Sequence, residues 1–565
     1  MASRTMTIQL VFLLITSLFA SFVLLVHGED PYLFFTWKVT YGTASPLGHP
    51  QQVILINGLF PGPVLNSTTN NNIVLNVFNQ LDEPLLLAWN GVQQRRNSWA
   101  EGTPGAQCPI PPGTNYTYHF QMKDQIGSYY YYPTLGLQRA AGGFGGITIH
   151  SRPLIPIPYD RPEAEFTVLI FDWYTQSHKD LQKMLDDGHG LDRPNGVLIN
   201  GKTAKGDGKD KPMFVMKPGK TYKYRICNTG LRETLNFRIQ DHRMKLAELE
   251  GSHTMQTFYD SIDVHVGQCY GVLVTADNKE HRDYVMLAST RNIHANPHLV
   301  GKDTIVLTGK AIIRYVGGHG PPPVKLPEAP VDMQWSVDQF KSFRWNLSSN
   351  AARPNIQGSY KYGQIPISRT IKLANTVGKA QNKLRYAING VSHVDPETPL
   401  KLAEYFGVAN KVFKYNIMTD NPPAKRAKII EEPNVINITY RSFVEIIFEN
   451  HEDSMQSFNL DGYSFFAVGT EPGVWTLEKR KSYNLLDAVS RHTVPVFPNH
   501  WTAILLTFDN VGMWNLRSEM AEYRYLGLQL YISILSDSVE FRDEYSLPEW
   551  QLLCGIVKNL PRPKP

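Results

Sequence analysis

The chain has little cysteine: four residues in 565, and no two of them form a Cys-x-x-Cys pair. So sparse a set excludes a small disulfide-dense scaffold, as well as zinc-ribbon and thioredoxin-type sites. The core must therefore stabilise the fold, and the length suffices for about two to four domains. Because Cys227 and Cys269 lie in strand-like stretches, we expect them to be free buried thiols.

Long hydrophobic runs are almost absent as well. The one run, over residues 8–26, follows Arg4 and precedes polar residues, which is typical of a secretory signal peptide over residues 1–28. A retained membrane anchor is the alternative. The polar, basic C-terminus lacks the hydrophobic tail of a glycosylphosphatidylinositol signal. We therefore expect a soluble, secreted mature protein without a transmembrane segment.

Charge excess and common catalytic motifs are also missing. The formal net charge of +5 gives no reason to expect nucleic-acid binding. There is no Gly-x-Ser-x-Gly elbow, no Walker loop and no His-Glu-x-x-His, which argues against the chemistries that those motifs serve. No two of the 17 histidines lie two residues apart. His294 and His298, in a loop that contains Pro297, are interpreted as surface residues.

Short alternating strands and turns are abundant, with 42 glycines, 38 prolines and 28 tyrosines. An apolar strand that ends in Asn-Gly recurs at Asn57, Asn200 and Asn389, a spacing too long for a solenoid. The pattern fits homologous β-sandwiches separated by proline-rich linkers. We predict an all-β fold of three Greek-key sandwich domains, which we place at residues 30–152, 160–318 and 330–555.

The most informative stretch covers residues 127–150, where an aromatic strand, a Pro-Thr turn and a small-residue loop precede a second apolar strand. Residues 135–142, Leu-Gly-Leu-Gln-Arg-Ala-Ala-Gly, resemble a signature of multicopper oxidases, the family of laccases and ascorbate oxidase. The resemblance covers nearly the whole mature chain and implies three cupredoxin-like domains. In that family the aromatic strand ends in His-x-His, whereas residues 132–134 here are Tyr-Pro-Thr.

The chemistry of that family needs two copper centres. A type 1 copper, held by two histidines and a cysteine, takes electrons, and a three-copper cluster held by four His-x-His pairs reduces O₂. Alternate strand residues share a face, so each pair aims two imidazoles at one cluster. The resemblance places these ligands at positions where this chain has neither His nor Cys: Ala88, Asn90, Tyr132, Thr134, Gln456, Asn459, Asp461, Phe508, Asp509, Asn510 and Trp514.

The fourth family motif reads His-Cys-His, with a further histidine four residues on. We match it to residues 508–510 and Trp514, which places Asp509 at the type 1 cysteine. We therefore expect no copper cofactor and no catalytic residue. A hydrogen-bonded polar plug is expected instead, with the copper volume filled by aromatic side chains: Trp89, Tyr130, Tyr132 and Trp514.

For function, the resemblance points to the plant branch of the family that has lost copper ligands, which residues 456–462 and 509–517 resemble in particular. It implies a non-catalytic glycoprotein of the cell wall or apoplast that acts in pollen tube or directional cell growth, with wall polysaccharides or wall and surface proteins as partners. The alternative is a copper-dependent oxidoreductase of the ascorbate oxidase or laccase type. A third hypothesis is a carbohydrate-binding or carbohydrate-modifying protein that uses exposed aromatics.

Two covalent features are also expected. Related oxidases join the first domain to the C-terminal segment by a disulfide, and the resemblance implies such a bond between Cys108 and Cys554. Sequons in a secreted chain predict N-glycans on at least two of four asparagines: Asn66, Asn115, Asn346 and Asn437.

Overall fold

The computed structural model describes nine stretches of the chain: residues 30–205, 210–280, 282–293, 305–318, 320–322, 325–349, 361–423, 428–536 and 543–563. The predicted signal peptide and the loop that holds His294 and His298 lie outside the described residues. Among the helices that are described, none is long and apolar enough to cross a lipid bilayer.

Domain 1 is a sandwich of two four-stranded sheets. Its strands are β1 (Tyr32–Ala44), β2 (Gln51–Ile56), β3 (Leu65–Thr68), β4 (Asn72–Asn79), β5 (Leu87–Asn90), β6 (Asn115–Gln121), β7 (Gly127–Pro133) and β8 (Gly145–His150). One sheet has the order β2-β1-β4-β6 and the other the order β3-β8-β7-β5. Inward-facing apolar side chains alternate along β4 and fill the space between the sheets.

Domain 2 contains one helix and two sheets. Its elements are β9 (Glu165–Trp173), α1 (His178–Asp186), β10 (Gly196–Ile199), β11 (Phe214–Met216), β12 (Thr221–Asn228), β13 (Leu235–Ile239), β14 (Met244–Leu249), β15 (Ser252–His253), β16 (Phe258–Tyr259), β17 (Ser261–Val264), β18 (Cys269–Thr275), β19 (Asp283–Thr290) and β20 (Thr308–Tyr315). The orders are β10-β9-β12-β18-β14-β15, with β16 beside β14, and β11-β20-β19-β13-β17.

Domain 3 is the largest. Its elements are α2 (Met333–Ser342), β21 (Arg369–Ala380), β22 (Lys383–Ile388), β23 (Val391–His393), α3 (Leu400–Tyr405), β24 (Ile430–Glu432), β25 (Val435–Thr439), β26 (Phe443–Glu449), β27 (Gln456–Leu460), β28 (Phe465–Pro472), β29 (Ser490–Arg491), β30 (Thr493–Val496), β31 (His500–Thr507), β32 (Gly512–Ser518), α4 (Ala521–Tyr525) and β33 (Gln529–Leu535). Its sheets have the orders β24-β23-β22-β21-β26-β31-β28-β29 and β25-β33-β32-β27-β30.

The three domains begin with the same arrangement. In each domain the first strand pairs antiparallel with the second strand and in parallel with a later one: β1 with β2 and β4, β9 with β10 and β12, and β21 with β22 and β26. The repeated Asn-Gly turn directly follows the second strand of each antiparallel pair. The asparagine has a left-handed φ of 47–51°, and its Oδ1 accepts a backbone hydrogen bond from the first strand at 2.7–2.8 Å. The predicted all-β fold of three sandwiches is confirmed.

Two disulfides are present. The bond between Cys108 and Cys554, implied by the family resemblance, is confirmed and ties domain 1 to the C-terminal segment. The prediction that Cys227 and Cys269 are free thiols is wrong, because they form the second disulfide. They lie directly opposite each other on the antiparallel strands β12 and β18, with their Cα atoms 4.1 Å apart. This register could not be read from two cysteines 42 residues apart in sequence.

Candidate functional site at the junction of domains 1 and 3

The edge strand β5 of domain 1 and its neighbour β7 meet β27 and β32 of domain 3 at a buried junction. Asn90 Nδ2 donates to Tyr130 Oη and to Glu519 Oε1, both at 3.1 Å. Tyr130 Oη in turn donates to Glu519 Oε2 at 3.0 Å. All three residues are buried, so a closed set of polar contacts joins the two domains.

Two guanidinium groups complete this set. Arg139 lies 3.3 Å from the Glu519 carboxylate and donates to the Glu519 carbonyl at 2.6 Å. Arg517 donates to Asp461 and lies 3.1 Å from Glu519. The Tyr132 ring lies beside both cations, with its centroid 5.0 Å from Arg139 Cζ and 5.8 Å from Arg517 Cζ. We call these seven residues the junction cluster: Asn90, Tyr130, Tyr132, Arg139, Asp461, Arg517 and Glu519.

The charges of the junction cluster balance. Burial disfavours the Glu519 carboxylate, but the Arg517 and Arg139 guanidinium groups outweigh it and hold the Glu519 pKa below its ordinary value. A further carboxyl group, Glu101, faces Asp461. Burial and then the Asp461 charge raise the Glu101 pKa well above its ordinary value, which favours the protonated form of Glu101. Within the junction cluster, two cations face two carboxyl groups, those of Asp461 and Glu519.

One imidazole, that of His492, lies beside the junction cluster and was missed by sequence reasoning. Its Nδ1 is 3.1 Å from Asn459 Nδ2, and burial lowers the His492 pKa to about 3. A Cβ on Gly91 would collide with the His492 ring, so glycine allows the close approach of domain 1. The backbone N–H groups of His492 and Thr493 both donate to Glu250 at 2.9 Å. No motif in the sequence singles out this histidine.

On β32, the fourth strand of the junction, the residues that reach the junction are not the predicted ones. β32 pairs with β27 so that Arg517 lies opposite Asn459 and Ser518 opposite Phe458. Arg517 and Glu519 therefore flank Ser518 and reach the junction cluster. The placement of the fourth motif at residues 508–510 is wrong, because Arg517-Ser518-Glu519, nine residues further along, stands where His-Cys-His is expected.

The residues that were predicted there have other contacts. Phe508 and Trp514 pack around Tyr463 in the core of domain 3, with ring centroids 4.9 and 6.0 Å from it. Asp509 accepts two hydrogen bonds from Arg95, at 2.8 and 3.0 Å, in a partly exposed pair. These side chains therefore belong to the shell around the junction cluster.

The other residues that were predicted to occupy the copper volume or its ligand positions also contact neighbouring parts of the chain. Ala88 packs with Tyr130 and Tyr132 against domain 2. Thr134 Oγ1 donates to a backbone carbonyl of domain 1 at 2.7 Å, and Asn510 Nδ2 donates to two backbone carbonyls at 2.9 and 3.0 Å. Trp89 points the other way, into the sandwich of domain 1, so the prediction that it fills the copper volume is wrong. Alternation along β5 explains this, since residues 88 and 90 face the junction.

With the corrected register, the family pattern puts the type 1 ligands at Gln456, Ser518 and Tyr523. The Gln456 side chain is fully buried, and neither of its amide atoms has a hydrogen-bond partner among the described residues. Tyr523 Oη lies 3.4 Å from Ser454 Oγ. An amide, a hydroxyl and a phenol thus replace two imidazoles and a thiolate, which are the donors that a blue-copper site requires.

Copper does not fit this donor set. The cluster positions carry no imidazole, and two guanidinium groups, which stay charged at any pH a protein meets, already place positive charge there. Across the described ranges, no group of three or more His, Cys, Asp or Glu side chains is arranged to hold a metal ion. The arrangement can bind domains 1 and 3 together.

The predicted glycosylation sites differ in exposure. Asn66, Asn115 and Asn437 are exposed on strands. Asn346 is only 8% exposed, and its Oδ1 accepts hydrogen bonds from the backbone and hydroxyl of Ser348. Three of the four sequons are therefore open to a glycan in the folded protein.

Known protein families match this chain in three segments that correspond to its three domains. Three family models, each described as multicopper oxidase, match residues 38–154, 164–317 and 397–538. The chain is 63% identical to an L-ascorbate oxidase homolog of Brassica napus over 96% of both chains. It is 46% identical to the Monocopper oxidase-like protein SKS1 of Arabidopsis thaliana, over 96% of this chain and 94% of the relative. It is 28% identical to L-ascorbate oxidase of Cucurbita maxima over 92% of both.

Solved structures agree on the fold. Fet3p, a multicopper oxidase that functions in iron import, matches with a TM-score of 0.76 at 18% identity, over 92% of this chain and 93% of Fet3p. The laccase from Botrytis aclada matches with a TM-score of 0.71 at 20% identity, over 92% of this chain and 91% of the laccase. At these identities the similarity concerns the fold alone, and it confirms three cupredoxin-like domains.

Proposed function

The chain belongs to the multicopper oxidase family, and from that premise we propose that it is a non-catalytic member, secreted as a glycoprotein to the plant cell wall or apoplast. The observation that carries the proposal is the junction cluster. Where the family holds three coppers between domains 1 and 3, this chain has Arg139 and Arg517 paired with Asp461 and Glu519. The Arg139–Glu519 pair therefore joins domain 1 to domain 3 where the family has metal, and Arg517 and Asp461 extend the set of ion pairs within domain 3.

The absence of oxidase chemistry follows from the donors. A type 1 site takes electrons through a thiolate, and the Ser518 hydroxyl has neither the charge nor the softness to replace it. Reduction of O₂ would need several coppers held by imidazoles at once. Because all of the family's cluster positions have changed together, restoring one His-x-His pair would not restore the cluster.

The extracellular setting is supported by the four sequons, the apolar N-terminal run and the two disulfides. Similarity to the ligand-poor plant branch supports a role in pollen tube or directional cell growth, with wall polysaccharides or wall and surface proteins as partners. Secretion is tested by expression in plant cells, followed by assay of the medium and wall fraction and by glycosidase treatment. Retention of an unglycosylated chain inside the cell would contradict this part of the proposal.

The non-catalytic state is tested by elemental analysis of protein that was secreted in copper-supplemented medium, together with oxygen uptake on ascorbate and on a phenol. A plant ascorbate oxidase produced in the same way is the positive control. We expect copper far below one ion per chain, no blue absorption band and no uptake above that of heat-denatured protein. Stoichiometric copper with turnover would restore the alternative, a copper-dependent oxidoreductase.

A further inference from the structure

A groove of about 570 Å³ runs between domain 1 and the C-terminal segment, on the outer side of the junction described above. This volume is in the range of small-ligand sites. Three exposed aromatic side chains line it: Tyr32 is 55% exposed, Tyr545 43% and Trp550 51%. Aromatics this open to solvent bury little of their own surface, so their clustering in one concave site indicates binding of a ligand.

Two of these aromatics are held in fixed positions. The Trp550 ring packs against the His119 ring with centroids 4.6 Å apart. The Arg96 guanidinium lies 4.7 Å from the Tyr545 ring centroid and also donates to Tyr545 Oη at 2.7 Å. Each aromatic is thus supported by a neighbour from domain 1, so a ligand would not need to order these side chains on binding.

The segment that carries Tyr545 and Trp550 is itself anchored to domain 1. The Tyr545 backbone accepts from Trp99 Nε1 at 2.9 Å and donates to the Arg96 carbonyl at 2.8 Å. Next to Trp550, Gln551 accepts from Tyr116 Oη at 2.6 Å, and the disulfide at Cys554 follows shortly after. The groove is therefore preformed, and the Cys108–Cys554 disulfide maintains one of its walls.

The charges that line the groove balance. Arg95 is bound by both oxygens of Asp509, and Lys123 lies 3.8 Å from Asp124. The lining has equal numbers of cations and carboxylates: Arg95, Arg96 and Lys123 against Asp124, Asp509 and Asp543. No excess of positive charge is available to select an acidic ligand. Open aromatic faces among amide, hydroxyl and paired charged groups instead suit a ligand with apolar faces and many hydroxyl groups.

We propose that this groove binds a neutral oligosaccharide segment, with Trp550 and Tyr545 stacking on sugar faces and the polar lining bonding to hydroxyl groups. The inference rests on the proposed function only in that an extracellular wall location would bring the groove to polysaccharides. Binding in this groove needs neither copper nor catalysis, so the chain acts there as a binding protein.

The test is affinity electrophoresis of the secreted protein in native gels that contain xyloglucan, a neutral polysaccharide, or polygalacturonate, an acidic polysaccharide. Xyloglucan should retard the protein, and 0.5 M salt should not abolish the retardation, since no charge pair is involved. Trp550→Ala and Tyr545→Ala should each weaken binding about tenfold, the upper range for loss of one aromatic contact. Phe258→Ala, which removes a 47% exposed aromatic of domain 2, is the matched control and should bind like the wild type.

Absence of retardation by xyloglucan would overturn the inference, as would groove variants that bind like the wild type. Retardation by polygalacturonate alone, lost in salt, would refute the neutral ligand. Circular dichroism of each variant shows that it is folded. The copper assay separates the two proposals: failure to bind xyloglucan with no copper present leaves the proposed function intact, whereas copper loading contradicts that function whatever the groove binds.

Discussion

Arg517 is buried between two carboxylates, those of Asp461 and Glu519, and is the cation closest to both. Removal of one member of a buried ion pair leaves its partner charged and without compensation, which costs more than the pair contributes. These buried charged residues therefore depend on each other for compensation of their charges. A change at one of them is expected to affect folding before it affects any chemistry.

This dependence gives a first prediction. Arg517→Met should lower the free energy of unfolding by about 3–5 kcal/mol, because Asp461 stays buried without its counterion and Glu519 keeps only Arg139. Urea unfolding followed by tryptophan fluorescence measures the change. Lys183→Met, which breaks the exposed pair with Asp187, is the control and should leave the curve unmoved. Equal midpoints for the two variants would refute the role given to Arg517.

Glu250 gives a second prediction, on pH. Burial raises the pKa of Glu250 to about 7 from an ordinary 4.5, against the opposing effect of Arg491. The folded state therefore binds the proton more tightly, so this contribution to stability is complete below about pH 4.5 and is lost as the pH rises through about 7. The loss is about 3 kcal/mol.

Glu250→Gln keeps the oxygen that accepts from His492 and Thr493 and cannot ionise. The variant should match the wild type at pH 5 and be the more stable of the two at pH 8. Chemical denaturation at both pH values measures this difference. The surface substitution Glu478→Gln serves as the control. A wild-type advantage at pH 8 would contradict the assigned titration.

At the scale of elements, the Asn-Gly turn was the best guide in the sequence, because it depends on local chemistry. Each copy needs a left-handed backbone, which asparagine and glycine tolerate, and an acceptor for the neighbouring strand. The same short pattern therefore marks the end of the first antiparallel strand pair in all three domains. The fold class could be predicted because such signals are repeated and local.

Pairings between distant strands could not be predicted in this way. The fourth motif was placed nine residues too early, because Phe508, Asp509 and Asn510 also precede a strand and no local rule fixes which strand faces the junction. The signal that could have found the correct place is Arg517 and Glu519, two charged residues that flank a serine at the end of a buried strand. Charges at alternate positions beside an apolar run indicate a buried, paired site.

The turn itself can be tested at Asn389. Asn389→Ala should cost about 3 kcal/mol, because alanine is strained at a φ of 49° and the bonds to Ala374, Lys372 and Thr419 are lost. Asn389→Gly should cost less, since glycine accepts this φ and only the side-chain bonds disappear. Thermal unfolding of both variants measures the order. A glycine variant less stable than the alanine variant would show that backbone strain is not part of the turn's role.

At the scale of the whole molecule, domains 1 and 3 are held together by the ion pairs Arg139–Glu519 and Arg95–Asp509 and by the disulfide Cys108–Cys554. The family resemblance implies that metal helps to hold domains 1 and 3 together in copper-binding relatives. Under the proposed function, such a replacement of metal explains how the three-domain architecture can persist without copper ligands. The interdomain contacts at the junction are polar and include an ion pair between Arg139 and Glu519.

The last prediction concerns what couples domains 1 and 3. Treatment with a strong chelator should leave the calorimetric unfolding of the wild type unchanged, because no metal joins the domains. Glu519→Gln should lower the transition temperature and split the transition, because Arg139 and Arg517 lose their shared partner and domains 1 and 3 uncouple. Glu445→Gln is the matched control: Glu445 is equally buried but pairs with Arg480 inside domain 3, so its loss should lower stability without splitting the transition. A chelator-sensitive wild type, or a Glu519→Gln profile identical to that of Glu445→Gln, would show that something other than the junction cluster couples the domains.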